Sequence, residues 1–155
     1  MILSIFLSLF FTIGEQCTPI RTVRREYHKI ENKEDLAHFI SITKKNEKCN
    51  KIKPYYASAV MQQAKYAVWP GKKLKYFKEG KNLLEAFIEK NNEHIEAKYI
   101  RVLVQNNTPS FLNYDDNIQE DITFILKNID DYKIDESYKK LILKNVRSVL
   151  KKEQQ

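Results

Sequence analysis

The sequence predicts an all-α protein, and three observations lead to that fold class. The chain has 155 residues, a length that suits one domain. It contains only three Gly and four Pro, too few for the turn-rich sequence of a β-sandwich or barrel. Apolar residues recur at helical spacing through most of the chain after residue 31. Hydrophobic residues make up 43% of the chain, enough for a packed core, which excludes a wholly disordered protein.

The first feature of the chain is an uncharged, mostly apolar segment at residues 2–13. Its length is typical of an export signal and is shorter than the ~20 residues that span a bilayer as a helix. Because Gly14 is small, we expect cleavage after it and assign residues 1–14 to a signal peptide. An uncleaved membrane anchor and a buried amino-terminal helix are the alternatives. We expect no transmembrane helix in the mature chain, since no later segment is as apolar.

The chain has two cysteines, Cys17 and Cys49, whose chemistry the sequence leaves open. In an oxidising compartment they can form a disulfide that ties down the amino-terminal segment. Two free thiols are the plainer alternative. Lipid attachment at Cys17 is a third, although Gly14 and Gln16 depart from the residues that usually precede a bacterial lipoprotein cysteine.

Residues 15–31 are polar and basic and show no sustained period, so we expect an extended basic arm there. The helical domain is predicted over residues 32–153. Asn32 is a suitable cap for its first helix. Pro54 suits the first turn of the second helix, because its missing N–H would have no partner there.

The third predicted helix begins after Pro70 and contains Gly80. Because Gly costs about 1 kcal/mol relative to Ala inside a helix, we expect a close helix crossing at Gly80. Three more helices have apolar stripes at residues 95–103, 118–129 and 138–150. About six helices with short connections predict antiparallel neighbours in a small bundle or solenoid.

Residues 84–99, LEAFIEKNNEHIEAKY, resemble the junction between successive tetratricopeptide repeats. In that junction a helix ends in an Ala-aliphatic pair and turns through polar residues into Glu-Ala-x-aromatic. The Asn91-Asn92 pair replaces the usual turn proline. The resemblance therefore implies a degenerate tetratricopeptide-like helical repeat. Residues 73–121 are also similar to an uncharacterised group of exported proteins from Bacteroidota, which implies no activity.

The second helix and its end are rich in aromatic residues, which serve as anchors on the concave faces of stacked repeats. Tyr56 falls on the apolar stripe of this helix and Tyr55 does not, so Tyr55 is the better candidate for a surface position, although helical aromatics more often belong to the core. Trp69 is a second candidate for partner binding. The alternatives are that Tyr55 belongs to the core and that Trp69 is a packing wedge between helices.

The loop at residues 105–114 places Phe111, Leu112 and Tyr114 close together between two helices. If these side chains are exposed, they form an apolar docking surface for a partner. The alternative, which we favour, is that Phe111 and Leu112 fold back and close the end of the helix stack.

Lys and Arg total 27 against 20 Asp and Glu, which gives a net charge of +7. Lysine-rich stretches occupy residues 44–53, 72–81 and 139–152. Such faces attract anionic lipids, glycans or acidic proteins through long-range fields, but they are also typical of an ordinary solvated surface. We expect no nucleic-acid partner, because the chain lacks a nucleic-acid-binding motif and because its export signal would carry it away from DNA and RNA.

The sequence predicts no enzyme, cofactor or metal site. His28, His38 and His94 belong to separate predicted segments, and no phosphate loop, nucleophile elbow or zinc motif occurs. The sequence thus favours an exported interaction module, periplasmic or secreted, that grips another envelope or secreted protein. The alternative is a peripheral envelope protein that its lysines hold to an anionic lipid or glycan.

Overall fold

A computed structural model describes residues 17–153, and the predicted signal peptide at residues 1–14 lies outside them. All regular structure in this range is helical, which confirms the predicted fold class. The α-helices are α1 (Ile20–Tyr27), α2 (Lys33–Lys45), α3 (Lys53–Gln62), α4 (Pro70–Lys90), α5 (Ile95–Asn106), α6 (Ile118–Asn128) and α7 (Glu136–Glu153). Short 3-10 turns lie at Asn50–Ile52, Gln63–Lys65 and Ser110–Leu112.

Helix α1 occupies Ile20–Tyr27 within the arm predicted at residues 15–31, so the prediction of an extended segment is wrong there. Residues 15 and 16 lie outside the described residues. The helix buries Val23 and Tyr27, four residues apart, on one face. Arg24 is also buried, because it forms a two-point ion pair with Glu96 of α5. A short helix whose buried face includes an arginine shows no apolar period, and tertiary contacts supply the stability that its sequence lacks.

The helix ends follow local chemistry that the sequence predicts. The Asn32 side chain accepts a hydrogen bond from the Asp35 N–H at 2.9 Å and caps α2. Pro54 lies in the first turn of α3, as expected. Asp135 accepts from the Tyr138 N–H at 3.0 Å at the start of α7.

Helices α3 and α4 make a close crossing at Gly80, as predicted. A Cβ atom at Gly80 would lie 2.5 Å from the Ala57 carbonyl oxygen and 2.7 Å from the Met61 backbone nitrogen. Only a residue without a side chain fits between these backbones.

Helix α5 is the central element and packs against α3, α4, α6 and α7. Every residue from 95 to 102 is buried, including Glu96, Lys98 and Arg101. Buried charges are stable only when paired, so this helix requires counterions from its neighbours. Arg24 pairs with Glu96, and Asp121 pairs with Lys98 and Arg101.

Cys17 and Cys49 form a disulfide, with their Cα atoms 6.1 Å apart. Thr18 and Asn46 exchange two hydrogen bonds beside it, at 2.7 and 2.9 Å. The sequence left a disulfide, two free thiols and lipid attachment open, and the structure contains the disulfide. Residues 17 and 18, just before α1, are thereby attached to the segment between α2 and α3.

Candidate binding groove

A large groove lies where the carboxyl-terminal ends of α1, α3, α5 and α7 face the first turns of α4. Its volume is about 1050 Å³, at the upper end of the range for small-molecule sites. The lining residues come from segments 27–30, 58–65, 70–77, 103–112 and 145–152. We call this feature the groove.

The rim of the groove carries exposed apolar side chains. Phe111 is 79% exposed and Leu74 is 41% exposed. Phe111 lies on the 3-10 turn Ser110–Leu112, which ends at Asn113 in the left-handed conformation with φ of 45°. Leu112, on the same turn, packs against the core. The favoured prediction that both residues close the helix stack is therefore right for Leu112 and wrong for Phe111.

Uncharged polar side chains lie among the mostly apolar residues that line the groove. The hydroxyls of Tyr27 and Ser58 share a hydrogen bond of 2.8 Å, and burial raises the pKa of Tyr27 to about 12. The Asn145 amide donates to the Tyr99 hydroxyl at 2.6 Å. Hydrogen-bonding groups among apolar side chains are typical of a site that selects its ligand's orientation.

The charged residues that line the groove, among those the structure describes, are cationic. Lys65, Lys73 and Lys152 line it, and no Asp or Glu of residues 17–153 does. His28 also lines it, with its ring centroid 5.9 Å from that of Tyr138, and burial lowers the pKa of His28 below its ordinary value. His28 is therefore neutral at neutral pH, and the lysines supply the positive charge.

Tyr55 is fully buried below the groove, so its predicted surface position is wrong. Its hydroxyl donates to Glu96 at 2.6 Å and lies 2.7 Å from the Tyr138 hydroxyl. Burial, together with the nearby Glu96 carboxylate, raises the pKa of Tyr55 well above its ordinary value. Helix α3 is buried on nearly every side, so the apolar stripe that excluded Tyr55 does not mark a boundary with solvent.

Tyr114 is also buried and is wrong as a docking residue. Its hydroxyl donates to Glu85, and Glu85 accepts from Arg101 at 2.7 Å. Arg101 in turn forms a two-point pair with Asp121, at 2.6 and 2.8 Å. The tyrosine belongs to the ion-pair system that supplies the counterions of α5.

Trp69 is 75% exposed and its neighbour Val68 is 83% exposed. Trp69 precedes Pro70, which lines the groove. The structure thus places two of the predicted partner-binding residues on the surface at or beside the groove, Trp69 and Phe111, and half-buries a third, Leu112, in its wall. The lysine-rich stretches noted in the sequence include Lys73 and Lys152, but sequence reasoning missed Lys65 and the uncharged polar residues of the groove, and it did not show that these distant segments meet.

No group of three or more His, Cys, Asp or Glu side chains is placed to hold a metal ion within residues 17–153. None of the described helices combines the length and the apolar character that crossing a membrane requires.

Comparison with known proteins adds no assignment. No family model matches the chain, and no curated protein or solved structure does.

Proposed function

We propose that this chain is an exported, non-catalytic binding module of the cell envelope, whose groove receives a segment of another envelope or secreted protein. The observation that carries this function is Phe111, an aromatic side chain 79% exposed on the rim of a groove of about 1050 Å³. An aromatic residue gains stability when a partner covers it, and such residues dominate the energetics of protein interfaces.

The amide side chains of Gln62 and Asn145, which line the groove, favour a polypeptide over a lipid chain as the ligand. Gln62 donates to Ser58, and Asn145 donates to Tyr99. Their amide oxygens accept no hydrogen bond from the described protein residues, so they are available to the N–H groups of a peptide. An acyl chain would cover the same oxygens without pairing them, which costs free energy.

The Cys17–Cys49 disulfide supports export, because disulfides persist in oxidising compartments such as the periplasm or the exterior. The predicted signal peptide points the same way. Kinship with tetratricopeptide repeats stays a prediction, and it agrees with a role in protein binding.

A second candidate function is attachment to an anionic lipid or glycan. A depression of about 500 Å³ on the outer side of α7 is lined by Lys140, Lys144, Arg147 and Lys151, and by no acidic residue of the described part of the chain. These cations all belong to one helix face. Attachment through them would weaken steeply as salt rises.

Selection from a displayed library of random peptides tests the protein-binding function. The wild-type chain is expected to enrich a family of peptides, and Phe111→Ser is expected to abolish their binding. Leu83→Ser is the matched control, because Leu83 is 42% exposed on α4 but does not line the groove. Absence of enrichment, or equal loss in both variants, would contradict a binding role for the groove.

A further inference from the structure

We propose that the occupant of the groove is an acidic segment of the partner protein, with apolar side chains on one side and Asp or Glu residues flanking them. The proposal rests on the proposed function, and it adds the chemistry by which the partner is recognised. Charge complementarity between partner and groove is the argument for it.

The lysines of the groove differ from the buried cations of the core. Arg24 pairs with Glu96, and Arg101 pairs with Asp121 and Glu85. The groove lysines, by contrast, have no carboxylate within 4.0 Å among the described residues. They are Lys65, Lys73 and Lys152.

Three separate elements bring these lysines to one groove. Lys65 lies in the 3-10 turn after α3, Lys73 in the first turns of α4, and Lys152 in the last turn of α7. All three side chains are exposed. A concave surface lined by one sign of charge focuses the electrostatic field and raises the local concentration of oppositely charged partners.

The sequence itself keeps acidic residues away from the groove. The chain has 20 Asp and Glu residues, yet none lies in residues 48–78, 97–114 or 137–152. Those three stretches supply every lining segment except 27–30. Glu26 and Glu31 flank that segment, but neither lines the groove, and Glu26 is engaged by Arg25 and Lys29. Within residues 17–153 the groove therefore has no lining counterion, and an acidic ligand is the partner that its charge selects.

The apolar rim sets the second requirement on the ligand. Phe111 and Leu74 are exposed beside the lysines, so a purely acidic strand would leave them uncovered. A helical segment with apolar residues at positions i, i+3, i+4 and i+7 presents both chemistries at once, with its carboxylates at the edges of the apolar stripe.

The test is a selection of random peptides of about 16 residues, long enough for about four helical turns, on the wild-type chain. The enriched pool is expected to have a net negative charge and apolar residues at helical spacing. The most enriched peptide is then titrated against K65E/K73E/K152E. We expect its affinity to fall about ten-fold or more, because like charges then face each other at the rim.

The matched control is K44E/K90E/K127E, which makes the same change in net charge at exposed lysines outside the groove. Its affinity is expected to stay within about two-fold of wild type, since salt screens exposed charges that do not face the bound peptide. Circular dichroism verifies that both variants fold. A salt titration of the wild-type complex gives a second measure that needs no variant, and affinity that is unchanged by salt would overturn the acidic ligand.

The outcomes separate the two proposals. If the enriched peptides are neutral or basic and do not bind Phe111→Ser, the acidic ligand is overturned and the binding function stands. If no peptide is enriched, or if the enriched peptides bind Phe111→Ser as well as wild type, both proposals are overturned. Co-flotation with vesicles of phosphatidylglycerol and phosphatidylcholine, dependent on Phe111 and without peptide enrichment, would assign the groove to a membrane and also overturn both.

Discussion

Asp121 is the residue on which the pairing of the central helix depends. It is fully buried and accepts from Lys98 at 3.0 Å and from Arg101 at 2.6 Å. Asp121→Asn would leave two buried cations without their main counterion, and we expect it to lower the free energy of unfolding by about 3–5 kcal/mol. Urea unfolding measures the change.

The neighbouring residue Glu120 is exposed and provides the control for Asp121→Asn. Glu120→Gln is expected to change the free energy of unfolding by no more than about 0.5 kcal/mol. Equal effects of the two substitutions would show that Asp121 does not hold the cations of α5.

His94 makes stability depend on pH. Its Nδ1 atom accepts from the Ala97 N–H at 3.2 Å and caps α5, and burial is the main cause that lowers the pKa of His94 below 6.5. A lowered pKa means that the folded state favours the neutral ring. With respect to His94, the free energy of unfolding is therefore highest above about pH 6.5 and falls as the pH is lowered. His94→Asn keeps a capping acceptor without titrating, and should flatten the fall.

Urea midpoints between about pH 7.5 and about pH 5.5 measure this effect. The pKa of His28 is also lowered, so the slope that remains in His94→Asn is assigned to His28. Stability that is unchanged or greater at the lower pH in the wild-type chain would contradict the assignment.

Single residues also show where sequence reasoning reaches its limit. Tyr55 falls off the predicted apolar stripe, yet it is buried because Glu96 and Tyr138 satisfy its hydroxyl. Phe111 has a large aromatic side chain of the kind usually found in a core, yet it is exposed. Hydrogen-bond partners from distant segments decide the first position, and the turn that ends at Asn113 decides the second.

At the scale of helices, the α3–α4 crossing gives a prediction whose sign depends on the packing. Gly→Ala inside a helix normally stabilises by about 1 kcal/mol. At Gly80 the new Cβ would lie 2.5 Å from the Ala57 carbonyl oxygen, so we expect Gly80→Ala to destabilise by about 1–3 kcal/mol. Thermal and urea unfolding measure the difference.

Gly71, in the first turn of the same helix, is the matched control. A Cβ there meets no atom within 4 Å. Gly71→Ala is expected to be neutral or to stabilise by up to about 1 kcal/mol. Stabilisation by Gly80→Ala as well would mean that the two helices are farther apart than the structure places them.

The sequence predicted six of the described helices, because each has a full apolar stripe, a cap or a proline at its start. Asn32, Pro54 and Pro70 are examples. Helix α1 was missed because its eight residues are stabilised by Val23, Tyr27 and a buried arginine. A period cannot be read from so short a segment when one of its buried residues is charged.

At the scale of the whole molecule, the Cys17–Cys49 disulfide closes a chain segment with a sequence separation of 32. Chain-entropy arguments give such a link roughly 3–4 kcal/mol of stability, through restriction of the unfolded chain. We expect the C17S/C49S variant to lose about that amount in urea unfolding. A midpoint equal to that of the oxidised wild type would contradict this contribution.

The groove is a property of the assembled molecule. Its lining comes from five segments between residues 27 and 152, and no local pattern marks them as neighbours. The sequence does show the underlying charge segregation, because three long stretches contain no acidic residue. Only the fold reveals that those stretches meet around one groove.

The most direct test of the groove as a docking site is photo-crosslinking in the native host, with p-benzoylphenylalanine in place of Phe111. The same group in place of Leu83, which is exposed outside the groove, is the control. We expect one discrete protein adduct at position 111, joined through an acidic segment that mass spectrometry identifies, and none at position 83. Equal adducts at both positions, or no protein adduct at position 111, would contradict a partner-binding groove.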